Sequence, residues 1–234
     1  MKKHKRLFLI IIIAVAVLAA AAILLYYGNY YNIIPKQQYS AADFGIETIK
    51  STVDFNDNGI DDFSDILKGA KDEAARRPKY DGSYFDGGYP PDDIGVCTDL
   101  VWRAFKQAGY DLKAMVDKDI EQDPNSYPHI TEPDPNIDFR RVSTLRVFFK
   151  KYAQSLTIDA DEIDKWQPGD IVIYNNKHIA IVSDIRGSDG QSYILHNAGL
   201  PKHEEDALTR MEITEHLRFD ASKIDSSVLI AFTD

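Results

Sequence analysis

Cys97 is the sole cysteine of a 234-residue chain. It stands in GVCTDLVWRAFKQAGYDL, where a Gly- and Pro-containing loop gives way to an apolar pattern of helical period. One unpaired thiol cannot staple an exported fold, because a disulfide needs two. Just inside a helix N-terminus it would feel the positive end of the helix dipole and unpaired N–H groups, which favour thiolate over thiol. The competing use is that of a small buried hydrophobe. His178 opens the run HIAIVSD and His196 closes SYILHN, two strand patterns separated by a turn around Gly187 to Gly190. Amide hydrolysis by a thiol needs an imidazole that keeps the sulfur deprotonated and later protonates the leaving amine, and a polar group that fixes the imidazole tautomer. Cys97, His178 and His196 fill these roles in that order, and backbone N–H groups near Cys97 are the natural oxyanion donors. Asn197 is the other candidate orienter. Alternation leans toward His196, which shares a face with Ile194, without fixing which face meets His178. His4, His129, His203 and His216 lack comparable placement and read as surface or loop residues.

Around this trio stand candidate binding residues. Arg140 and Arg141, in NIDFRRV, offer guanidinium forks that match carboxylates, and the competing use is a salt bridge to one of the many acidic side chains. Tyr89, with Tyr84 and Trp102, flanks the cysteine and could line a groove or belong to the core. Asp99 either hydrogen-bonds near the nucleophile or favours the helix start electrostatically, and the second use is preferred. Upstream, Asp54, Asn56, Asn58, Gly59, Asp62 and Asp65 reproduce the spacing of a twelve-residue calcium loop, with the Ile60 carbonyl as a further ligand. A structural calcium ion at 54–65 is the expectation, against the alternative of a solvated acidic helix cap. Catalysis itself needs no cofactor.

Taken together, GVCTD, NIDFRRV, WQPGDIV, HIAIVSD and LHN resemble the NlpC-type papain-like cell-wall peptidases, over roughly Asp61 to Asp234. In that pattern a cysteine starts a helix after a Gly-rich loop, a PGD turn leads into a strand, a histidine begins the next strand and a polar residue follows on the one after. Cys97, Pro168-Gly169-Asp170, His178 and His196 stand at those positions. The chain departs from the pattern in Val96-Cys97-Thr98-Asp99, where Asp-Cys-Ser-Gly is usual, and in a long segment between the cysteine helix and the PGD turn. The resemblance implies a papain-like fold and hydrolysis of an amide in or next to the peptidoglycan stem peptide. Other papain-like relatives act on lipids or transfer acyl groups, and a non-catalytic, calcium-dependent wall-binding scaffold would keep the same frame.

The elements that must position these groups read as follows. Residues 1–6 form a basic tail, and Leu7 to Tyr27 carries no charge over a length that spans a bilayer. Lys2, Lys3, Lys5 and Arg6 before it, and Tyr26, Tyr27, Tyr30 and Tyr31 after it, predict a transmembrane helix with the N-terminus cytoplasmic and the C-terminal domain outside. A cleaved signal peptide is the alternative. Residues 28–50 read as a tether and 51–234 as one α+β domain. Within it helices are predicted at Asp61 to Arg76, Cys97 to Ala108, Leu112 to Ile120 and Val142 to Tyr152, followed by the strand runs IVIY, HIAIVSD, SYILHN and VLIAFT in a small, mainly antiparallel sheet. The net charge of −10, less the +4 of the tail, leaves about −14 on the rest. That excess disfavours nucleic acid as a partner and suits divalent cations, or a polymer held by a few local basic residues.

Overall fold

The computed structural model of the protein describes residues 2–233. Two units separate, one up to Lys36 and one from Gln37 onward. In the first, α1 runs Lys2–Tyr30, and from His4 to Tyr30 it is long and apolar enough to cross a membrane. It outruns the expected span at both ends because neither the basic tail nor Gly28 and Asn29 interrupts the helical backbone. The expected tether is correspondingly shorter. Residues 37–50 belong to the compact unit: the backbones of Tyr39 and Arg186 exchange hydrogen bonds of 3.0 and 2.8 Å, and the Ile49 N–H donates to Gln167 Oε1 at 3.0 Å. Backbone docking of this kind leaves no periodic signal in the side chains.

The second unit is mixed α+β. Helix α2 (Asp62–Arg76) is capped by Asp61, whose carboxylate accepts the Ser64 N–H. It packs on α3 (Cys97–Gln107) through Gly69, where a Cβ would come within 2.6 Å of Gln107 Cβ and 2.8 Å of Ala104 Cα. Between them a short parallel pair joins β1 (Lys79–Tyr80) to β2 (Ile94–Gly95). Helices α4 (Leu112–Gln122) and α5 (Val142–Tyr152) follow. The remaining strands are β3 (Gln154–Ser155), β4 (Ile171–Tyr174), β5 (His178–Arg186), β6 (Ser192–Leu195), β7 (Glu204–Glu205) and β8 (Ile213–Arg218), arranged in the antiparallel order β3-β8-β4-β5-β6-β7.

The sheet is covered on both faces. Ile171, Ile173, Ile179, Ile181, Leu195 and Leu217 pack toward the α2–α3 layer, whereas Val172, Tyr174, Ala180, Val182 and Ile194 pack beneath Trp166, Ala207 and Leu208. Double burial explains why IVIY and HIAIV read as nearly continuous apolar runs. VLIAFT is not a sheet strand: it makes one isolated bridge, Tyr110 to Ala231, beside α3. The strand between β3 and β4 is instead ITEHLR. Its polar residues hide the pattern because Glu215 and His216 are buried through partners that sit far away in sequence, Arg146 and Lys150 for the first and Asp170 for the second.

Candidate active site

Asp99 builds the start of the cysteine helix. Its carboxylate accepts the Val96 N–H at 2.8 Å, closing the capping turn, and the indole N–H of Trp102 at 2.9 Å. Arg140 then grips the same carboxylate with two parallel bonds of 2.8 and 2.9 Å and donates its third to the Ser83 carbonyl at 2.9 Å. Only 5 % exposed, Arg140 is the internal partner of Asp99 and not a presented substrate ligand. Arg141 is bound to Asp138 at 2.8 Å on a half-exposed surface. Tyr89 packs between Trp102 and Phe139, with its hydroxyl toward Asp111, so it belongs to the aromatic core behind α3. In both cases a local pattern suggested binding, and a distant carboxylate or ring claims the side chain.

Cys97 heads α3 and is 4 % exposed. Burial pushes its thiol up to about 11, while the N–H groups of Ile179 and Thr98 pull the other way. The sulfur therefore lies against the first peptide of β5, the one that joins His178 to Ile179. Among the described residues no hydrogen bond joins Cys97 Sγ to the His178 ring. Burial thus works against the thiolate expected from the helix terminus, because the desolvation cost of a buried anion exceeds what that terminus returns.

The imidazole is held by a chain of bonds across three strands. His178 Nε2 lies 2.7 Å from His196 Nδ1, and His196 Nε2 lies 3.1 Å from Glu205 Oε1. Arg210 closes the line with a 2.8 Å bond to Glu205 Oε2. The register explains the alignment. Val182 faces Ile194, and Ile194 faces Glu205, so His178, His196 and Glu205 project from the same face at successive diagonal positions. Asn197 points elsewhere, donating to the Pro78 and Gly95 carbonyls at 3.1 and 2.9 Å. It thereby ties the end of β6 to the loop that delivers Cys97.

Protons along this chain follow from its charged end. Burial pushes Glu205 up, but the hydrogen bonds from His196 and Arg210 outweigh it and hold the carboxyl below its ordinary range. An ionised Glu205 whose charge Arg210 already balances takes an N–H from His196 Nε2. His196 Nδ1 is then a lone pair, His178 Nε2 must carry the hydrogen, and His178 Nδ1 is left as the basic nitrogen. Burial, and after it the His196 ring, push His178 down to about 3, with Glu205 opposing. At neutral pH it is a base without a proton. Glu205 and Arg210 escaped sequence reading, because a Glu in HEEDALTR carries no local mark. The one available signal was the alternation that sets an acidic residue opposite Ile194.

Tyr80, on β1, is the exposed residue whose hydroxyl feels Cys97 and Asp99. It is 49 % exposed, and its hydroxyl is pushed up by burial and by the charges of Cys97 and Asp99. A Cβ at Gly199 would lie 3.4 Å from its ring, so the loop after β6 rests on it. Two histidines read as surface residues are buried: His203, whose carbonyl accepts the His196 N–H, and His216.

In the expected calcium loop the side chains have protein partners. Asp54 accepts the Asn58 and Gly59 N–H groups. Asp62 turns inward to the Phe55 N–H and the Tyr110 hydroxyl, and Asp65 accepts from the amides of Asn56 and Asn58. The Asn56 amide also donates to the Gln107 carbonyl at 2.9 Å, so turning its oxygen inward would set two acceptors against each other. The Ile60 N–H is taken up by Asn58 Oδ1. Among the described residues no group of three or more His, Cys, Asp or Glu side chains is disposed to hold a metal. In this arrangement the segment latches the α2 N-terminus to the end of α3.

Residues 67–219 match a domain of unknown function, DUF1287. The chain belongs to the DUF1287 family. It is also 33 % identical over 165 residues to the uncharacterized protein YijF of Escherichia coli (strain K12), a match covering 66 % of this chain and 80 % of that protein. No solved structure matches. The family span contains Cys97, His178, His196, Glu205 and Arg210, whereas α1 and the 54–65 loop lie outside it.

Proposed function

We propose that the protein is a membrane-anchored, extracytoplasmic cysteine hydrolase of NlpC-like, papain-type build that cuts an amide of peptidoglycan. The observation that carries the reading is the relay Glu205–His196–His178, which ends on an unprotonated nitrogen at the strand whose first peptide contacts Cys97. Burying two imidazoles and an ionised carboxylate in line carries a desolvation cost that apolar packing would avoid, which suits a line kept for proton transfer. As a substrate carbonyl enters, Cys97 Sγ gives its proton to His178 Nδ1 and forms a bond to the carbonyl carbon. The N–H groups of Cys97 and Thr98, free of intrahelical partners at the helix start, face the developing oxyanion. His178 returns the proton to the leaving amine, and the thioester is hydrolysed by water with His178 as base. His196 and Glu205 hold the ring and spread the transient imidazolium charge. The cell-wall substrate and the outward orientation rest on the motif resemblance and on the basic residues before α1.

A second reading, a wall-binding scaffold without chemistry, is favoured by the raised thiol and the missing sulfur–imidazole bond. Muropeptides incubated with the full chain in detergent micelles and followed by mass spectrometry separate the two. The hydrolase reading expects new amine and carboxyl termini that vanish in Cys97→Ala and His178→Ala. Absence of turnover in the unaltered chain leaves the scaffold, and turnover that survives either substitution overturns the Cys97–His178 mechanism.

A further inference from the structure

The C-terminal end of α2 and the loop 197–204 enclose a pocket of about 280 Å3 whose wall carries Lys71, Arg77, Lys202, His203 and Glu204. Lys71 is committed to Asp184 and Glu204. Arg77 and Lys202 make no ion pair among the described residues. His203 is 6 % exposed, and its Nδ1 has no hydrogen-bond partner. Two cations without ion pairs thus share one wall of a pocket in a chain whose net charge is −10.

Arg77 adds a second observation. It ends α2 with φ 55°, in the left-handed region where Gly or Asn is the ordinary occupant. A side chain there costs roughly 1 kcal/mol, so the guanidinium is placed against backbone preference. The backbone also leads from this pocket toward the cysteine. Three residues of chain, about 10 Å when extended, lead from Arg77 to Tyr80, whose hydroxyl feels Cys97. On the other side, the His203 carbonyl holds the His196 N–H at 2.8 Å.

We propose that this pocket is a carboxylate subsite, in which Arg77 and Lys202 receive the free carboxylate of a peptide whose scissile amide lies at Cys97. Its role as a substrate subsite rests on the hydrolase reading, whereas binding of the carboxylate does not. The planar fork of Arg77 suits a carboxylate, and Lys202 adds a point charge.

The test uses the full chain carrying Cys97→Ala in detergent micelles, so that binding is read without turnover. Calorimetric titration compares acetyl-dialanine, its C-terminal amide and inorganic phosphate. The acid should bind at least about tenfold more tightly than the amide, a difference of about 1.4 kcal/mol. Arg77→Gly should weaken the acid by a similar factor while Tm holds or rises, because glycine relieves the left-handed backbone. Lys202→Gln, on the surface, should weaken it in the same direction. Equal binding of acid and amide, an unchanged Kd in both variants, or phosphate binding more tightly than the peptide would each overturn the assignment. Failure of the unaltered chain to turn over muropeptides bears on the hydrolase reading alone and leaves this contrast in binding intact.

Discussion

Two buried histidines of this sheet are tied to carboxylates, one directly and one through a second imidazole, and their bonding differs. His216 on β8 is bonded through Nδ1 to the Thr157 carbonyl at 2.7 Å and through Nε2 to Asp170 at 2.9 Å, and its ring stacks flat on Trp166 at 3.7 Å. Asp170 in turn is gripped by Arg218 through two bonds of 2.7 Å. Each ring nitrogen faces an acceptor oxygen, so none is left to exchange a proton with a substrate. His178 on β5 bonds through one nitrogen only, to a second histidine that passes the influence of Glu205 along. A fully satisfied ring is a fastener. A ring bonded at one nitrogen keeps the other open, the feature on which the proposed proton transfer to and from Cys97 depends.

The sharpest way to break this contrast is to exchange the outcomes. Cys97→Ala and His178→Ala should each lower turnover by at least about 1000-fold with folding retained, as loss of a nucleophile or its base does elsewhere. His216→Ala should instead cost about 3 kcal/mol of stability, because it leaves Asp170 and Arg218 incompletely paired in the interior, and the folded fraction should keep its kcat. Chemical unfolding alongside a turnover assay reads both, and a His216 variant that folds normally but is inactive would reverse the assignment. Glu205→Gln probes the far end of the relay: a side-chain amide can present N–H to His196 and invert the tautomer chain. A fall in kcat of roughly 10- to 100-fold is expected, the size seen when outer-shell partners of an imidazole are removed. An unchanged kcat would mean that the relay does not set the tautomer.

A smaller effect lies in the pH dependence of stability. The folded pKa of His178 is depressed to about 3, below the ordinary histidine value of 6.5. Between those limits the unfolded chain binds a proton that the native chain refuses, so stability is complete above about 6.5 and falls as pH drops toward 3. The slope from this one group is at most about 1.4 kcal/mol per pH unit. His178→Gln should flatten that limb, measured by unfolding free energies from pH 7 to pH 4, and an unaltered limb would show the imidazole to be solvated. Least of all should calcium matter: at about 1 mM, within the range of weak extracellular sites, Tm should move by less than about 1 °C. A rise of several degrees would show that Asn56 and Asn58 turn their carbonyl oxygens inward.

Reading from residues alone reached the helices whose apolar side chains recur at helical spacing, Asp62–Arg76, Cys97–Gln107 and Val142–Tyr152, and the strands whose runs are buried on both faces. It also brought forward Cys97, His178 and His196, since an unpaired thiol at a helix start and imidazoles at strand ends are visible within a few residues. It failed where a side chain is claimed from far along the chain. Arg140 looked like a surface fork until Asp99, 41 positions away, was seen to hold it. ITEHLR, absent from the expected strands, is a central one whose polar residues find partners far along the chain, and VLIAFT reads as a strand although no sheet edge receives it.

The sequence by itself determined which groups could react and which strongly periodic or apolar segments would be helix or strand, because those properties depend on neighbours within a turn or two of backbone. Only the tertiary structure decided which nitrogen of His178 is basic, that Glu205 and Arg210 stand behind it, and that burial works against the thiolate. Those outcomes depend on strand register, on burial and on charges brought together from distant positions. None of these is a local property of the chain.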